Sequence, residues 1–250
     1  MRYKLISCEV FYREMCTVVA QAPHMVDVEF LPKGLHDIGA KGMVARLQAV
    51  LDAVDVSLYD AVLFGYGLCN NGLVGLTAPA IPLVIPRAHD CITLFLGSKE
   101  RYQEYFTAHP GVYFKTSGWI ERGAATGELS QLSIQHQTGM DRSYAELVEK
   151  YGEDNAQYLW EMLGNHHRNY SQFTFIEMGI EPDDRFERQT EADAAARGWA
   201  YAKVQGDMGL IRRLIHGQWH EDEFLVVPPG WRVVARVNQR IIEAAPPAES

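Results

Sequence analysis

Long apolar runs are missing from this chain: no stretch approaches the roughly 18 uninterrupted apolar residues needed to cross a bilayer. A membrane is therefore not an expected partner. Basic clusters are missing too. The 23 Lys and Arg residues are scattered among 32 Asp and Glu, for a net charge of -9, and without a basic stripe there is no footprint for a phosphate backbone. Nucleic acid is excluded as an expected partner. A small anionic substrate is not, because a local pocket can carry the opposite sign to the surface around it. Cysteine is scarce, with four among 250 residues, and no C-x-x-C pair occurs, so neither a disulfide framework nor the usual zinc-ribbon spacing is present. Met1-Arg2 leads directly into a strand pattern, with no apolar leader core or small-residue cleavage site. The expected setting is reducing and cytoplasmic.

What is present is an ordinary globular composition, 47% hydrophobic and 22% charged, in a chain long enough to bury an ample core. The first half alternates strand and helix. A strand runs to Ser7, a helix covers Glu9 to Val19, and Val26 to Leu31 alternates apolar and polar residues as a half-exposed strand does. Ala40 to Ala53 is an amphipathic helix. Asp60 to Phe64 and Pro82 to Ile85 are short and almost wholly apolar, the pattern of interior parallel strands. Cys91 to Tyr105 reads as one helix with Asp90 as its N-cap, then Val112 to Lys115 as a strand and Thr116-Ser117-Gly118 as a loop.

From Glu121 to Met140 the chain is polar, Gly-rich and without a period, which makes it the expected boundary. A helical block from Ser143 to about Asn169, broken near Gly152, leads into a second alternation. Its strands are Phe173 to Met178, Tyr201 to Val204 and Phe224 to Val227, and its helices are Phe186 to Arg197 and a segment opening at Gly206-Asp207. Ala244-Ala245-Pro246-Pro247 reads as a loose tail. The expected fold is α/β, a Rossmann-like parallel sheet in two lobes with a cleft between them. Residues 1–120 form the lobe with the cysteines, and residues 121–250 a second α/β lobe with a helical insertion.

Three cysteines sit just past strand-like runs: Cys8 after Tyr3 to Ser7, Cys69 after Asp60 to Phe64, and Cys91 after Pro82 to Ile85. In an open parallel sheet, all three positions lie beyond the carboxyl ends of the strands, where such sheets build their ligand sites. A single buried cysteine is often a small hydrophobe, and Cys16, inside a helix, reads as packing. Three thiols on one edge point to a metal. Soft thiolates suit zinc with an open fourth position or a [4Fe-4S] cluster with one free iron, and the residues leave both open.

The segment Pro86-Arg87-Ala88-His89-Asp90-Cys91 is the densest in reactive types. A cysteine in the first turn of a helix meets the positive end of the dipole, which favours thiolate, and Arg87 adds charge. Arg87, His89 and Lys115 are the candidate catalytic residues, with Arg87 and Lys115 orienting a small anion. His89 is also a possible fourth ligand. Gly65, Gly67, Asn70 and Ser117 are the candidate cofactor-binding positions, because Gly and Asn in Gly65-Tyr66-Gly67-Leu68-Cys69-Asn70-Asn71-Gly72 let the backbone approach a bound group. The turn fails the dinucleotide fingerprint at Asn70 and lacks a P-loop lysine. His166-His167, His216 and His220 carry no ligand spacing. Trp119, Trp160 and Trp219 can equally be core.

Ser7-Cys8-Glu9, the Gly65-to-Cys69 turn, Pro86 to Cys91 with Leu96-Gly97-Ser98 behind it, and the late Gly217-Gln218-Trp219 with Phe224 to Gly230 together resemble the uncharacterised family known as domain of unknown function 1638. The resemblance spans nearly the whole chain and brings no established activity. It implies a cytoplasmic protein that accompanies corrinoid-dependent methyl transfer, with a corrinoid protein as a possible partner. The residues themselves point to a metal-dependent enzyme, with Cys8, Cys69 and Cys91 as ligands and a small anionic or thiol substrate. The alternatives are an accessory protein that stores or inserts a metal or corrinoid, and an unmetallated enzyme with Cys91 as nucleophile.

Overall fold

A computed structural model describes residues 1–123, 127–138, 144–153, 155–157 and 170–247. The N-terminal strand β1 (Arg2–Cys8) is followed by a short 3-10 turn and helix α1 (Tyr12–Val19). Next come β2 (Met25–Leu31), a 3-10 turn at Lys33–His36, helix α2 (Gly39–Asp52), β3 (Ala61–Gly65) and β4 (Leu83–Pro86). β1 pairs in parallel with β2 and β3, and β3 with β4. The interior strands β3 and β4 are buried along their whole length, as a sheet covered on both faces requires. β2 is the half-exposed edge.

The helix expected from Cys91 to Tyr105 is two helices, α3 (Cys91–Leu96) and α4 (Lys99–Ala108). Gly97 ends the first with φ +81, and a Cβ there would stand 2.7 Å from Asp207 Cβ. The Ser98 hydroxyl then caps the second by accepting from Arg101 N–H at 3.1 Å. A left-handed glycine followed by a serine is a stop signal and a start signal in succession.

β5 (Val112–Lys115) leads straight into α5 (Ser117–Glu121), not a loop, because the Thr116 hydroxyl accepts from Trp119 N–H at 3.2 Å. The short helices α6 (Glu128–Leu132), α7 (Ile134–Thr138) and α8 (Tyr144–Tyr151) occupy part of the segment expected to be aperiodic and the start of the helical block. Trp160, His166-His167 and most of the rest of that block lie outside the described residues.

β6 (Gln172–Glu177), α9 (Arg185–Arg197), β7 (Ala200–Gln205) and α10 (Gly209–Ile215) complete a second alternation. β8 (Phe224–Val227) returns to the first sheet, and β9 (Arg232–Ala235) forms a hairpin with β10 (Ile242–Ala245). The tail expected at Ala244 is thus paired backbone as far as Ala245.

The strand orders are β2-β1-β3-β4-β8, with β8 antiparallel, and β5-β6-β7, all parallel. The fold is therefore α/β around a mostly parallel central sheet. The sheets do not divide at residue 120. β5 precedes that point yet belongs to the second sheet, and β8 follows it yet closes the first. Backbone bonds tie the two together, such as Asp207 N–H to the Phe95 carbonyl at 2.9 Å. Ile176 and Met178 of the second alternation join the same buried cluster as β1, β3 and β4.

Glu14, on α1, is buried between these layers, and neither of its carboxyl oxygens finds a hydrogen-bond partner among the described residues. Burial raises its pKa to about 8, with Glu181 and Glu121 adding to the rise. The folded state therefore holds a proton that the unfolded chain releases near 4.5. Stability from this group is fully present below the unfolded value and falls as pH rises toward about 8, by at most about 1.4 kcal/mol per pH unit. Replacing the carboxyl with an apolar side chain of similar volume, Glu14→Met, is expected to remove this fall. Urea midpoints at about pH 5 and pH 8 check it, and equal slopes in the two proteins would show that Glu14 does not titrate in that window.

Candidate functional site: a thiol-lined cavity at the carboxyl edge of the sheet

The chain leaves β1 toward β2 on one side and returns to β3 on the other, so the order reverses between β1 and β3. In open α/β sheets the crevice at such a reversal is the preferred ligand site. Cys8 is the last residue of β1, level with Leu31 at the end of β2. Cys69 follows β3 and Cys91 follows β4. All three are buried.

Local backbone constraints hold the last two side by side. Leu68 N–H donates to the Ala88 carbonyl at 2.8 Å, and Cys69 N–H to the His89 carbonyl at 3.0 Å. Gly67 is obligatory in this approach, since a Cβ there would lie 2.6 Å from the Asp90 carbonyl carbon. Cys69, Asn70 and Asn71 then run in succession through the left-handed region, at φ +45, +55 and +64. Three consecutive non-glycine residues there form a strained turn, of the kind that clusters at ligand sites.

Asp90 caps α3 by accepting from Ile92 N–H at 3.0 Å, and its other oxygen accepts from the Tyr102 hydroxyl at 3.0 Å. Cys91 accepts from Trp119 Nε1–H at 3.3 Å, which links α3 to α5. His36 Nε2 stands 3.8 Å from Cys8 Sγ, and the His36 and Trp119 ring centres are 6.1 Å apart. Lys33 Nζ lies 4.6 Å over the Trp119 ring. A cavity of about 940 Å³ opens beside this group, lined by Cys69, Asn70, His89, Asp90 and Cys91 and by rings that include Tyr102, Tyr113 and Trp119.

Burial dominates the electrostatics. It pushes the Cys8 thiol up to about 12, against the pull of Val10 N–H and Lys33. Cys69 is raised by burial, then by Asp90 and Cys8, while the N–H groups of Gly67 and Cys91 pull it down. Cys91 is raised well above its ordinary value by burial, with Cys69 and Asp90 adding and Trp119 opposing. The thiolate expected at Cys91 from the helix dipole is therefore corrected. A six-residue helix offers less than full desolvation and the neighbouring Asp90 take away. Burial likewise holds the His36 pKa down at about 4, so the ring is neutral at pH 7.

Arg87 is corrected as well. Its guanidinium donates to the carbonyls of Glu221, Arg240 and Ile242, so it fastens the β10 end of the hairpin to β4 and is not free to orient a substrate. Gly65 abuts Ser7 and the Met15 methyl, so its lack of a side chain serves packing within the sheet. Asn70 and His89 line the cavity. Ser117 is buried, with no hydrogen-bond partner for its hydroxyl among the described residues. Lys115 Nζ stands 5.5 Å over the Tyr113 ring.

Lys33, His36 and Trp119 join the site although no motif marks them. Lys33 and His36 follow the carboxyl end of β2 and Trp119 follows that of β5, so the positional rule that selects the cysteines also reaches them. Among the described residues, no group of three His, Cys, Asp or Glu side chains is arranged to hold a single metal ion. No described helix is long and apolar enough to cross a membrane.

The fold and site together define an α/β protein with a thiol-lined cavity at the switch point of a parallel sheet. The chain belongs to the family described as protein of unknown function (DUF1638), which it matches over residues 30–215. No curated protein and no solved structure matches it.

In chelator-treated native protein at about pH 8, iodoacetamide is expected to label Cys16 first, because it alone among the four thiols is exposed. The three buried thiols should label only after unfolding, since the thiolate is the nucleophile. Mass spectrometry of the peptides reads the order, and Cys91 reacting as fast as Cys16 would restore it as an activated nucleophile.

Proposed function

We propose that the chain is a metal-dependent enzyme in which Cys8, Cys69 and Cys91 hold a thiophilic metal centre and a small anionic or thiol substrate enters the adjoining cavity, the cleft between the two parallel sheets. The observation that carries this reading is the burial of three thiols from three strand ends, close enough that Cys8 raises the pKa of Cys69 and both raise that of Cys91. A metal ion supplies the positive charge that such a group lacks, and its ligands must be thiolates. The hydroxyl of buried Tyr66, without a hydrogen-bond partner among the described residues, adds to the fit, since Cys8 and Cys69 help to raise its pKa.

A [4Fe-4S] cluster suits this donor set better than zinc. Zinc needs every sulfur about 2.3 Å from a single point, whereas a cluster spreads its ligands over separate irons. Held by Cys8, Cys69 and Cys91, such a cluster would supply Lewis acidity toward the substrate. The chain's own part is to desolvate the centre, to hold Cys91 by the Trp119 N–H, and to keep a neutral His36 ring beside Cys8. A corrinoid-linked methyl transfer is one setting for such chemistry, and storage or insertion of a metal is the non-catalytic counterpart.

Metal analysis with a visible spectrum, on protein purified without oxygen, tests the assignment beside a Cys8/Cys69/Cys91 triple-alanine variant. About four irons with a broad visible absorbance, or about one zinc, is expected in the wild type and neither in the variant. No metal in either protein would remove the basis for this function.

A further inference from the structure

Many cations of the first sheet and its surroundings are already engaged. Arg2, Lys4, Arg13, Arg46 and Arg122 each hold a carboxylate, and Arg87 and Lys99 hold backbone carbonyls. Lys33 and Lys115 are different. Both are half-buried, and neither ammonium has a hydrogen-bond or ion-pair partner among the described residues. Asp37, Glu9 and Asp193 are near enough to be felt, yet burial outweighs them and lowers both lysines, and Lys115 depresses Lys33 further.

Two partly desolvated, mutually repelling cations are costly unless an anion visits them. Although neither lysine lines the cavity itself, each stands over a ring that does. Lys33 Nζ lies 4.6 Å over the ring of Trp119, and Lys115 Nζ lies 5.5 Å over that of Tyr113 and 5.4 Å over that of Phe173. Trp119 and Tyr113 line the cavity beside Cys69 and Cys91. The same lining carries no lysine or arginine and is rich in rings, among them Tyr102, Phe106, Phe114 and Tyr170. A ligand that satisfies both features has an anionic head and a flat apolar body.

We propose that Lys33 and Lys115 receive the anionic group of a small aromatic acid whose ring lies in the cavity against Trp119 and Tyr113, next to the cysteines. This rests on the cavity being the substrate site and names the class of substrate it takes. Lys33 does the work that sequence reasoning gave to Arg87.

Benzoate is the probe, with benzamide and benzylammonium as neutral and cationic counterparts, and calorimetric titration is the readout. Benzoate is expected to bind, and the other two to bind at least about tenfold more weakly, the size of a charge-assisted contact. Lys33→Met and Lys115→Met should each weaken benzoate by a similar factor, while Lys33→Arg, which keeps the charge, should retain most of it. Metal content measured on the same samples should not change with Lys33→Met. No benzoate binding up to about 10 mM, equal binding of benzylammonium, or benzoate affinity indifferent to both Met variants would overturn the proposal. Lysine-dependent benzoate binding by protein that holds no metal would support the proposal while sinking the metal centre.

Discussion

The site depends on one backbone contact, the pairing of the turn after β3 with the turn after β4. Two hydrogen bonds, Leu68 to Ala88 and Cys69 to His89, carry the parallel sheet past the ends of its strands. They bring together two thiols that are more than twenty residues apart in the chain. Gly67 makes the approach possible, because no side chain fits between its Cα and the Asp90 backbone. Asp90 then completes the arrangement in two directions, capping α3 and receiving the Tyr102 hydroxyl. The left-handed run from Cys69 to Asn71 is the local strain that this closure carries.

Desolvation decides the chemistry of the thiols that are gathered there. A helix N-terminus at Cys91 and a nearby lysine at Cys8 favour thiolate, yet both are outweighed by loss of water, to which Cys69 and Asp90 add at Cys91 and Glu9 at Cys8. Such thiols are poor free nucleophiles and good candidates for a ligand that brings its own positive charge. Trp119 connects this thiol group to the second sheet. Its N–H reaches Cys91, its face carries Lys33, and its ring centre stands 6.1 Å from that of His36 beside Cys8.

Much of the fold is legible in the residues, because β3 and β4 are short apolar runs with the lengths and compositions of buried parallel strands. The carboxyl-edge placement of Cys8, Cys69 and Cys91 followed from that pattern and from the rule that ligands gather there. The break at Gly97-Ser98 was visible as a stop followed by a cap, but the apolar pattern across it masked the signal. The extra strand at Ile242 to Ala245 was hidden by its small residues, since only its pairing with β9 marks it as a strand.

By itself the sequence determined the class of fold, the α/β alternation, and which edge of the sheet carries the cysteines, because these depend on local periodicity and chain order. Tertiary structure decided what the charged residues do. Arg87 lies four residues from Cys91 yet turns to carbonyls more than a hundred residues away, while Lys33 reaches the site from the far side of the sheet switch. Long side chains on strand ends can point along or away from the edge, and the choice is set by which distant carbonyls and rings meet them. Spacing along the chain carries no record of that meeting.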